Sequence, residues 1–385
     1  MNILHLYPKS DYFTGAAVQL LELARGLAGH GHHVVVATRP TEGWAERCRQ
    51  AGLPYYGIPM RSEIDLRSVP PLIRILRHHR VEIVHCHKGK ARTLALVAGL
   101  FVRIPALILN RGVSFPLDPF NRLGYVTSRV TAIVAVSQSI KRNLVAQGVP
   151  AGKITVIHSG TDTDRFHPGV DRRRIRRELG LSADHYLVTQ IGIRGWKGND
   201  DVLGALRIVA DEVPQARLLF VGANAEKEVI LRAKAGARGL AERVSVFHHR
   251  TDVPDILGAS DVCVDASYEG LGITGTLREA LAVETPVIGT AIEGNPELIE
   301  DGRTGLLVPP RDPHALATAL LRLINRPDHA RAMARAGRDR VVAMFSQDAK
   351  TRRTEALYRQ LLDDRRGAVD PPPPVRVGAP DPRTC

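Results

Sequence analysis

Short apolar runs alternate with amphipathic stretches along almost the whole chain, in a strand, helix, strand order. Asn2 to Leu6 predicts a strand, Ala16 to Leu27 a helix and His33 to Thr38 a second strand. Strands joined through a helix pair in parallel with a right-handed crossover. A second series begins at Tyr186, beyond a polar, basic segment from Ser159 to Glu178 that we interpret as a linker. The pattern predicts an α/β protein with two doubly wound, Rossmann-like lobes that face each other across a cleft.

The length of the chain supports a division into two units. It has 385 residues, whereas a single hydrophobic core stops growing at about 250–300 residues. We therefore predict a first domain over residues 1–165 and a second over residues 166–346. We expect a helix over residues 347–365 to pack back on the first domain, and the segment 366–385, which contains a proline run, to be disordered.

The charge balance indicates anionic partners. The chain has 53 Lys and Arg against 40 Asp and Glu, a formal net charge of +13, which suits nucleic acid, anionic lipid or a phosphorylated substrate. Aromatic residues make up only 5% of the chain and no basic-aromatic RNA motif is present, so we expect no nucleic-acid partner. The basic clusters Arg74 to Arg80 and Arg172 to Arg177 are either docking surfaces or solvated helix faces.

Cysteine usage and the first residues suggest a reducing compartment. The cysteines lack paired spacing, which argues against a disulfide framework or a cysteine metal site; they are Cys48, Cys86, Cys263 and Cys385. The N-terminal residues predict a strand rather than a signal peptide, and no apolar run approaches the roughly 18 residues of a membrane span. We expect a cytoplasmic protein.

A glycine-rich bend joins the predicted strand Asp261–Val264 to the predicted helix Thr276–Ala282. It contains Gly270, Gly272 and Gly275, which let a ligand approach the backbone. Ligands of open α/β sheets bind outside the carboxyl ends of strands, where the N-terminus of the following helix favours an anion. Glu269 and Glu279 flank the bend, and carboxylates accept hydrogen bonds from sugar hydroxyls. The stretch therefore predicts a ligand that carries both phosphate and hydroxyl groups.

Glu279 also has a purely structural interpretation. Thr276 and Glu279 stand at the spacing of a capping box, in which the Glu side chain bonds back to the N–H of the cap residue. From this stretch alone, ligand binding and helix capping remain equally open.

A second glycine-containing turn, Gly192–Gly198, also follows a predicted strand. Its Arg194 and Lys197 suit a diphosphate, because Arg is a bidentate donor and Lys a compact positive charge. A solvated turn is the alternative. The turn and the bend at Glu269 both leave the carboxyl ends of strands in the same predicted sheet.

In order and spacing, these pieces resemble the family 4 retaining glycosyltransferases of the GT-B fold. The resemblance runs from Met1 to about Leu362. The motifs that carry it are Gly15-Ala16-Ala17, Val136-Ser137, Gly160-Thr161-Asp162, Arg194 with Lys197-Gly198, Glu269-Gly270-Leu271-Gly272, Glu279-Ala280-Leu281-Ala282 and Gly294-Asn295-Pro296-Glu297. Each motif is weak alone, but the ordered set is specific to the family.

The resemblance implies that the second lobe binds a nucleoside diphosphate sugar and the first lobe the acceptor. Arg194 and Lys197 would hold the diphosphate, Glu269 would lie against the transferred sugar, and Glu279 would bond the ribose hydroxyls. The other donor-binding residues that it implies are Gly15, Gly270, Leu271, Gly272, Thr274, Thr276, Phe247 and His248. It implies no cofactor and no bound metal.

The chain departs from the family pattern in three places. Nine residues separate Glu269 from Glu279, where the family usually has seven, and Arg194 and Lys197 lie closer together than usual. Many members carry a histidine after a strand of the first lobe. At that place this chain has Asn110-Arg111-Gly112. Arg111 would either meet a phosphate or acidic acceptor or form a surface ion pair.

Two histidines stand at alternate positions of a predicted strand. His85 and His87 therefore share one face. The spacing is typical of a metal site, but no third ligand is evident, so we expect no metal there. We place His87 on the acceptor side.

The expected activity is transfer of a hexosyl-type group from a nucleoside diphosphate sugar to a hydroxyl of a glycan or lipid-linked acceptor, in the synthesis of cell-envelope polysaccharide or lipopolysaccharide. The excess positive charge predicts peripheral docking on the anionic inner face of the cell membrane. A nucleotide-sugar epimerase of the GT-B type and a non-catalytic membrane- or polysaccharide-binding protein are the alternatives.

Overall fold

The computed structural model describes residues 1–113, 115–269 and 272–369. Gly270 and Leu271, two of the predicted donor-binding residues, lie outside the described residues, as do Ser114 and residues 370–385. The predicted tail was expected to begin at residue 366, but residues 366–369 continue the last helix. The rest of that predicted tail is outside the described part of the chain.

The first lobe is built on a parallel sheet whose described strands follow the order β3-β2-β1-β4-β5-β6-β7. These strands are β1 (Asn2–Tyr7), β2 (His33–Thr38), β3 (Tyr55–Gly57), β4 (Ile83–His87), β5 (Ala106–Arg111), β6 (Ala132–Ala135) and β7 (Ile154–Val156). Because helices cover both faces, β2, β4 and β6 consist largely of buried apolar residues.

The second lobe repeats this architecture in a parallel sheet of order β10-β9-β8-β11-β12-β13. Its described strands are β8 (Tyr186–Ile191), β9 (Ala216–Val221), β10 (Val244–Phe247), β11 (Val262–Asp265), β12 (Val287–Thr290) and β13 (Leu306–Val308). In both sheets the strand order reverses at the pair beside the first strand, β1 with β4 and β8 with β11. Ligands of doubly wound sheets bind at such reversals.

Helices pack on both faces of each sheet. In the first lobe they are α1 (Gly15–Gly29), α2 (Glu42–Gln50), α3 (Val69–His78), α4 (Gly89–Ala98), α5 (Pro119–Val126) and α6 (Gln138–Ala146). After the crossing to the second lobe they are α7 (Arg172–Glu178), α8 (Asn199–Glu212), α9 (Ala225–Gly236), α10 (Val253–Ala259), α11 (Gly275–Ala282), α12 (Asn295–Leu298), α13 (Pro313–Asn325), α14 (Pro327–Arg340) and α15 (Gln347–Val369). Within the described ranges, no helix combines the length and the apolar character that crossing a bilayer requires.

The last helix returns from the second lobe to the first. Leu357, Tyr358 and Leu362 of α15 are buried in the same apolar cluster as Ile3 of β1 and Ile83 of β4. The chain thus crosses between the lobes twice. The two crossings are joined by hydrogen bonds, because Thr161 donates its N–H to Phe345 and accepts one from Gln347, both at 2.8 Å.

The predicted linker, residues 159–178, is shorter than expected. Its last part forms α7, which packs against α10. Arg174 of α7 forms ion pairs with Asp252 at 2.5 Å and Asp255 at 2.8 Å. Arg174 and Arg176 of this basic cluster are thus paired within their own lobe, whereas Arg173 and Arg177 are exposed.

Candidate active site between the lobes

A cavity of about 460 Å³ lies between the carboxyl ends of the two sheets. Its first-lobe wall includes Gly15 of α1, His85 and His87 of β4, Asn110 of β5, and Lys350 and Thr354 of the returning helix α15. Its second-lobe wall includes Arg165, Ile273, Gly275, Arg278 and Glu279. We call these two surfaces the first-lobe wall and the second-lobe wall.

Glu279 projects from α11 into this cavity. The helix begins at Gly275 with Thr274 as its cap residue, and the Thr274 side chain makes no capping hydrogen bond. The capping-box interpretation of Thr276 and Glu279 is therefore wrong, since both residues lie inside the helix. Burial raises the pKa of Glu279, while the positive charges of Arg278, Arg165 and Lys197 act in the opposite direction. The helix position leaves this carboxylate available to a ligand.

Arg278, the neighbour of Glu279, is buried and connects the second lobe to the crossing segment. Its guanidinium donates a hydrogen bond to the carbonyl of Ser159. Burial lowers the pKa of Arg278 to about 10, and its Nε has no hydrogen-bond partner among the described residues. Sequence reasoning missed Arg278 because no spacing rule separates it from an ordinary helix-face arginine.

Lys197 lies in the turn after β8, at the reversal point of the second sheet. Its Nζ is 2.5 Å from Oδ2 of Asp265 at the end of β11, and both side chains are almost fully buried. The next residue, Gly198, has a φ of 65°, and a Cβ there would lie 2.1 Å from the carbonyl oxygen of Ala266. Only glycine fits, so the turn is held tightly against the segment after β11.

Arg194 points elsewhere. It is exposed, lies near the ring of Trp196 at 5.7 Å and lines an outer cavity together with Lys227 and Arg311. Arg194 and Lys197 were predicted to hold one diphosphate, and the structure places them on different surfaces. The short spacing explains this separation, because the intervening residues form a single tight turn.

The residues of the bend before α11 differ in exposure and in their position relative to the cavity. Glu269 is exposed and is absent from the lining of the interlobe cavity, as far as the described residues show. Gly272 is buried at the lobe interface, where a Cβ would lie 2.9 Å from Cγ2 of Val136. Thr274 is buried and Thr276 half-buried. The roles predicted for these residues stay predictions.

The predicted base-binding residues lie at the end of β10, away from the interlobe cavity. The ring of Phe247 is covered by the guanidinium of Arg250 at 4.7 Å. His248 is exposed, and its Nε2 is 2.7 Å from Glu228. Their assignment to the donor base also stays a prediction.

Three histidines form the floor of the first-lobe wall. His5 of β1 lies opposite His85 of β4 in the sheet, and its Nδ1 shares a hydrogen bond of 3.0 Å with Nε2 of His87. The rings of His85 and His87 stack with centroids 4.5 Å apart. Burial lowers the pKa of all three, that of His5 to about 3, so the rings are neutral at neutral pH.

Helix α15 completes this floor. Tyr358 Oη is 2.6 Å from Nδ1 of His85. Lys350 donates hydrogen bonds to the carbonyl and the side-chain oxygen of Gln19, at 2.7 and 2.9 Å. Burial, followed by the charge of Arg278, lowers the pKa of Lys350 to about 7. Neither Lys350 nor Tyr358 carries a sequence signal that links it to β4, because the contact spans the whole chain.

Arg111 does not reach the cavity. Successive side chains of a strand point to opposite faces, so Asn110 lines the cavity while Arg111 turns away. Its guanidinium donates to the carbonyl of Phe115 and lies 6.0 Å from the ring of Tyr125. The surface ion pair considered for Arg111 is not formed with any described residue. The cavity therefore receives an amide at this position of β5.

A carboxylate of the second lobe joins the two walls. Glu297 of α12 accepts N–H bonds from Gln138 at 2.9 Å and Ser139 at 3.1 Å, at the N-terminus of α6. Its Oε2 is also 3.0 Å from Nε2 of His158. Burial alone would raise the pKa of Glu297, but these hydrogen bonds together lower it. We call this group the interlobe latch.

Comparison with known proteins identifies the family. The sequence model described as "Glycosyltransferase Family 4" matches residues 13–165, and that described as "Glycosyl transferases group 1" matches residues 186–326. One therefore covers the first lobe and the other the second. The chain belongs to the family 4, group 1 glycosyltransferases.

Among curated members of this glycosyltransferase family, the D-inositol 3-phosphate glycosyltransferase of Mycobacterium tuberculosis is 32% identical over 318 residues. The alignment covers 78% of this chain and 62% of the relative. The chain thus spans less than two thirds of the length of that curated relative.

Solved structures of other glycosyltransferases share the fold. A glycosyltransferase from Rickettsia africae superposes with a TM-score of 0.86 at 20% identity, covering 94% of this chain and 99% of its own. HepE from Anabaena, solved in complex with UDP, gives a TM-score of 0.83 at 20% identity, covering 94% of this chain and 100% of its own. The prediction of two Rossmann-like lobes in the GT-B arrangement is confirmed.

Proposed function

We propose that this chain is a retaining glycosyltransferase that moves a hexosyl-type group from a nucleoside diphosphate sugar to a hydroxyl acceptor. One observation carries the proposal: Gly15 of the first lobe and Glu279 of the second line a single cavity between the carboxyl ends of the two sheets. Each lobe also matches its own family model. The bound UDP of the HepE structure supports a nucleoside diphosphate donor.

Donor binding is assigned to the second-lobe wall. Glu279 accepts hydrogen bonds from the ribose hydroxyls, and the diphosphate lies toward the N-terminus of α11 and the turn that carries Lys197. As the sugar leaves, negative charge grows on the diphosphate. Positive side chains and helix N–H groups that are already aimed at that charge stabilise the transition state without reorganisation. Donor cleavage therefore needs no metal.

Retention of configuration follows from attack on the face that the diphosphate leaves. The leaving phosphate oxygen takes the proton of the acceptor hydroxyl while the new glycosidic bond forms, which balances the transfer without an enzyme nucleophile. The exposed position of Glu269 outside the cavity favours this route over a double displacement. Trapping a covalent glycosyl-enzyme on Glu269 or on another side chain would overturn it.

The acceptor is assigned to the first-lobe wall. Asn110, His87 and Thr354 offer polar groups there, and Lys350, whose pKa burial lowers to about 7, adds an amine that can bond an acceptor hydroxyl. We propose a glycan or lipid-linked acceptor of cell-envelope polysaccharide or lipopolysaccharide synthesis. The name of the curated relative contains D-inositol 3-phosphate. This compound is therefore the small-molecule acceptor to compare with glycan and lipid-linked acceptors.

Peripheral docking on the cytoplasmic membrane face is a further part of the proposal. Leu100 and Phe101 are 61% and 62% exposed at the end of α4. Arg77 of α3 donates to the carbonyl of Phe101, which places a base beside them, and Arg74 is exposed on the same helix. Apolar and basic groups together bind anionic bilayers. Failure to sediment with anionic liposomes at moderate salt would refute this docking.

The experiment is a thermal-shift panel of UDP-, GDP-, ADP- and TDP-sugars, followed by product analysis with the best donor. A ligand that binds the native state raises its melting temperature, and we expect one donor class to do so. Glu279→Gln should lose most of that shift. Conversion of the sugar without any acceptor would favour an epimerase, and a flat panel for the wild type would favour a non-catalytic binding protein.

A further inference from the structure

The histidine floor of the first-lobe wall contains more imidazole nitrogens than its hydrogen bonds satisfy. His5 Nε2 and His85 Nε2 are buried and have no hydrogen-bond partner in the described part of the chain. An unsatisfied buried polar atom costs about 1–3 kcal/mol. Two such atoms in adjacent rings indicate that the floor is built for a partner that protein groups do not supply.

The geometry of the three rings fits a metal ion. His5, His85 and His87 each offer one ring nitrogen, and these nitrogens all lie within 4.8 Å of one another. Zn–N bonds of 2.0–2.1 Å in a tetrahedral site require nitrogens about 3.3 Å apart, so ring movements of about 1 Å suffice. The spacing of His85 and His87 indicated no third ligand, and the pairing of β1 with β4 brings His5 beside them.

The surroundings fix the orientation of one ligand. Ligating histidines usually bind a second group through the other ring nitrogen, which sets the tautomer. Tyr358 Oη does this for His85 at Nδ1, at 2.6 Å, and leaves Nε2 for a metal. His85 and His87 also line the interlobe cavity, so an ion can enter, and a fourth position stays open to water or a ligand hydroxyl.

We propose that His5, His85 and His87 form a binding site for a first-row divalent metal ion with imidazole preference, such as Zn²⁺, Co²⁺ or Ni²⁺. The site is independent of the donor chemistry proposed above. Lys350 lines the same cavity as His85 and His87, so its protonated form opposes a bound cation. Its removal strengthens metal binding, an effect that a purely structural histidine cluster does not show.

Direct metal titration tests the proposal without any activity assay. Tag-free protein, stripped with a chelator and dialysed, is titrated with Zn²⁺ by calorimetry and with Co²⁺ by visible absorbance. We expect one ion per chain. His87→Asn should lower the affinity by more than the roughly 10–100-fold expected for the supporting variant Tyr358→Phe, and Lys350→Met should raise it.

A matched histidine pair provides the control. His33 and His79 are 2.9 Å apart but solvent-exposed and remote from the cavity. His79→Asn should leave the stoichiometry and affinity unchanged, and circular dichroism checks that each variant is folded. No stoichiometric binding by the wild type, or an equal loss in His79→Asn and His87→Asn, overturns the proposal. An unchanged affinity in folded His87→Asn does so as well.

Discussion

The two walls of the interlobe cavity differ in the charge of their buried side chains. The second lobe keeps its charged groups: Glu279 lies among the positive charges of Arg278, Arg165 and Lys197, and Lys197 is paired with Asp265. The first-lobe wall removes charge instead, because burial leaves its three histidines neutral and lowers the pKa of Lys350 to about 7. A charged wall suits a diphosphate donor, and a neutral polar wall suits hydroxyls.

The walls also differ in how the chain builds them. The second-lobe wall comes largely from one local segment, the bend and helix α11 that follow β11. The first-lobe wall combines β1, β4 and β5 with α15, whose Tyr358 lies 273 positions from His85. A local motif can therefore describe the second-lobe wall, whereas the first-lobe wall is complete only once the last helix has docked.

The largest effect is expected from breaking the buried ion pair of the second lobe. Lys197→Met leaves Asp265 charged and uncompensated, which should lower the free energy of unfolding by about 3–5 kcal/mol. The chain has two tryptophans, and Trp196 lies in this lobe, so its fluorescence in urea reports the change.

A surface pair supplies the control for this variant. Arg207→Ala breaks an exposed pair with Asp211 and should cost less than about 1 kcal/mol. Equal losses in the two variants would mean that Lys197 and Asp265 behave as a surface pair.

A smaller loss is expected on the first-lobe wall. Tyr358→Phe removes the hydroxyl bonded to His85 and leaves that ring without either hydrogen bond. The free energy of unfolding of the first lobe, measured by the fluorescence of Trp44, should fall by about 1–3 kcal/mol. An unchanged free energy of unfolding would show that water or another group replaces the hydroxyl.

The depressed pKa of Lys350 predicts a pH dependence of stability. The pKa is about 7 in the folded protein, against an ordinary value of 10.5. Between these values the unfolded chain binds a proton that the folded chain does not, so this group's contribution to stability rises with pH from about 7 to 10. The melting temperature of the wild type relative to Lys350→Met should therefore rise between pH 7 and pH 9. A constant or falling difference would contradict the buried, uncharged lysine.

The smallest effect concerns the interlobe latch that joins the walls. Glu297→Gln weakens the hydrogen bonds to the N-terminus of α6 and to His158, because charge-assisted bonds are roughly twice as strong as neutral ones. Small-angle scattering should show a slightly larger radius of gyration, with both lobes still folded. An unchanged radius would mean that the remaining interlobe contacts, such as Ser139 with Glu293 and Gly272 with Val136, are enough to hold the lobes together.

Periodicity predicted most of the fold but not every element. Apolar alternation located the strands of both sheets, since buried parallel strands are continuous apolar runs. Helix α2 was not predicted, because its sequence is polar apart from two buried side chains, Trp44 and Cys48. The return of α15 to the first lobe was an expectation without a local signal.

The site was predictable where one residue's position depends on its own helix or strand. Glu279 followed from the order of strand, bend and helix. Arg111 was predicted as an acceptor contact because of its charge, although strand alternation sends the amide of Asn110 into the cavity and the guanidinium away. The third histidine, His5, depended on the pairing of β1 with β4, which a single strand's spacing cannot reveal.

We propose that the second-lobe wall binds the donor and the first-lobe wall the acceptor. Donor affinity in two variants provides the clearest test. Calorimetry with the donor found in the thermal-shift panel compares the wild type, Glu279→Gln and Lys350→Met. We expect Glu279→Gln to weaken donor binding at least about tenfold, or about 1.4 kcal/mol, and Lys350→Met to leave it within about twofold. Wild-type affinity in Glu279→Gln, or an equal loss in both variants, would contradict it.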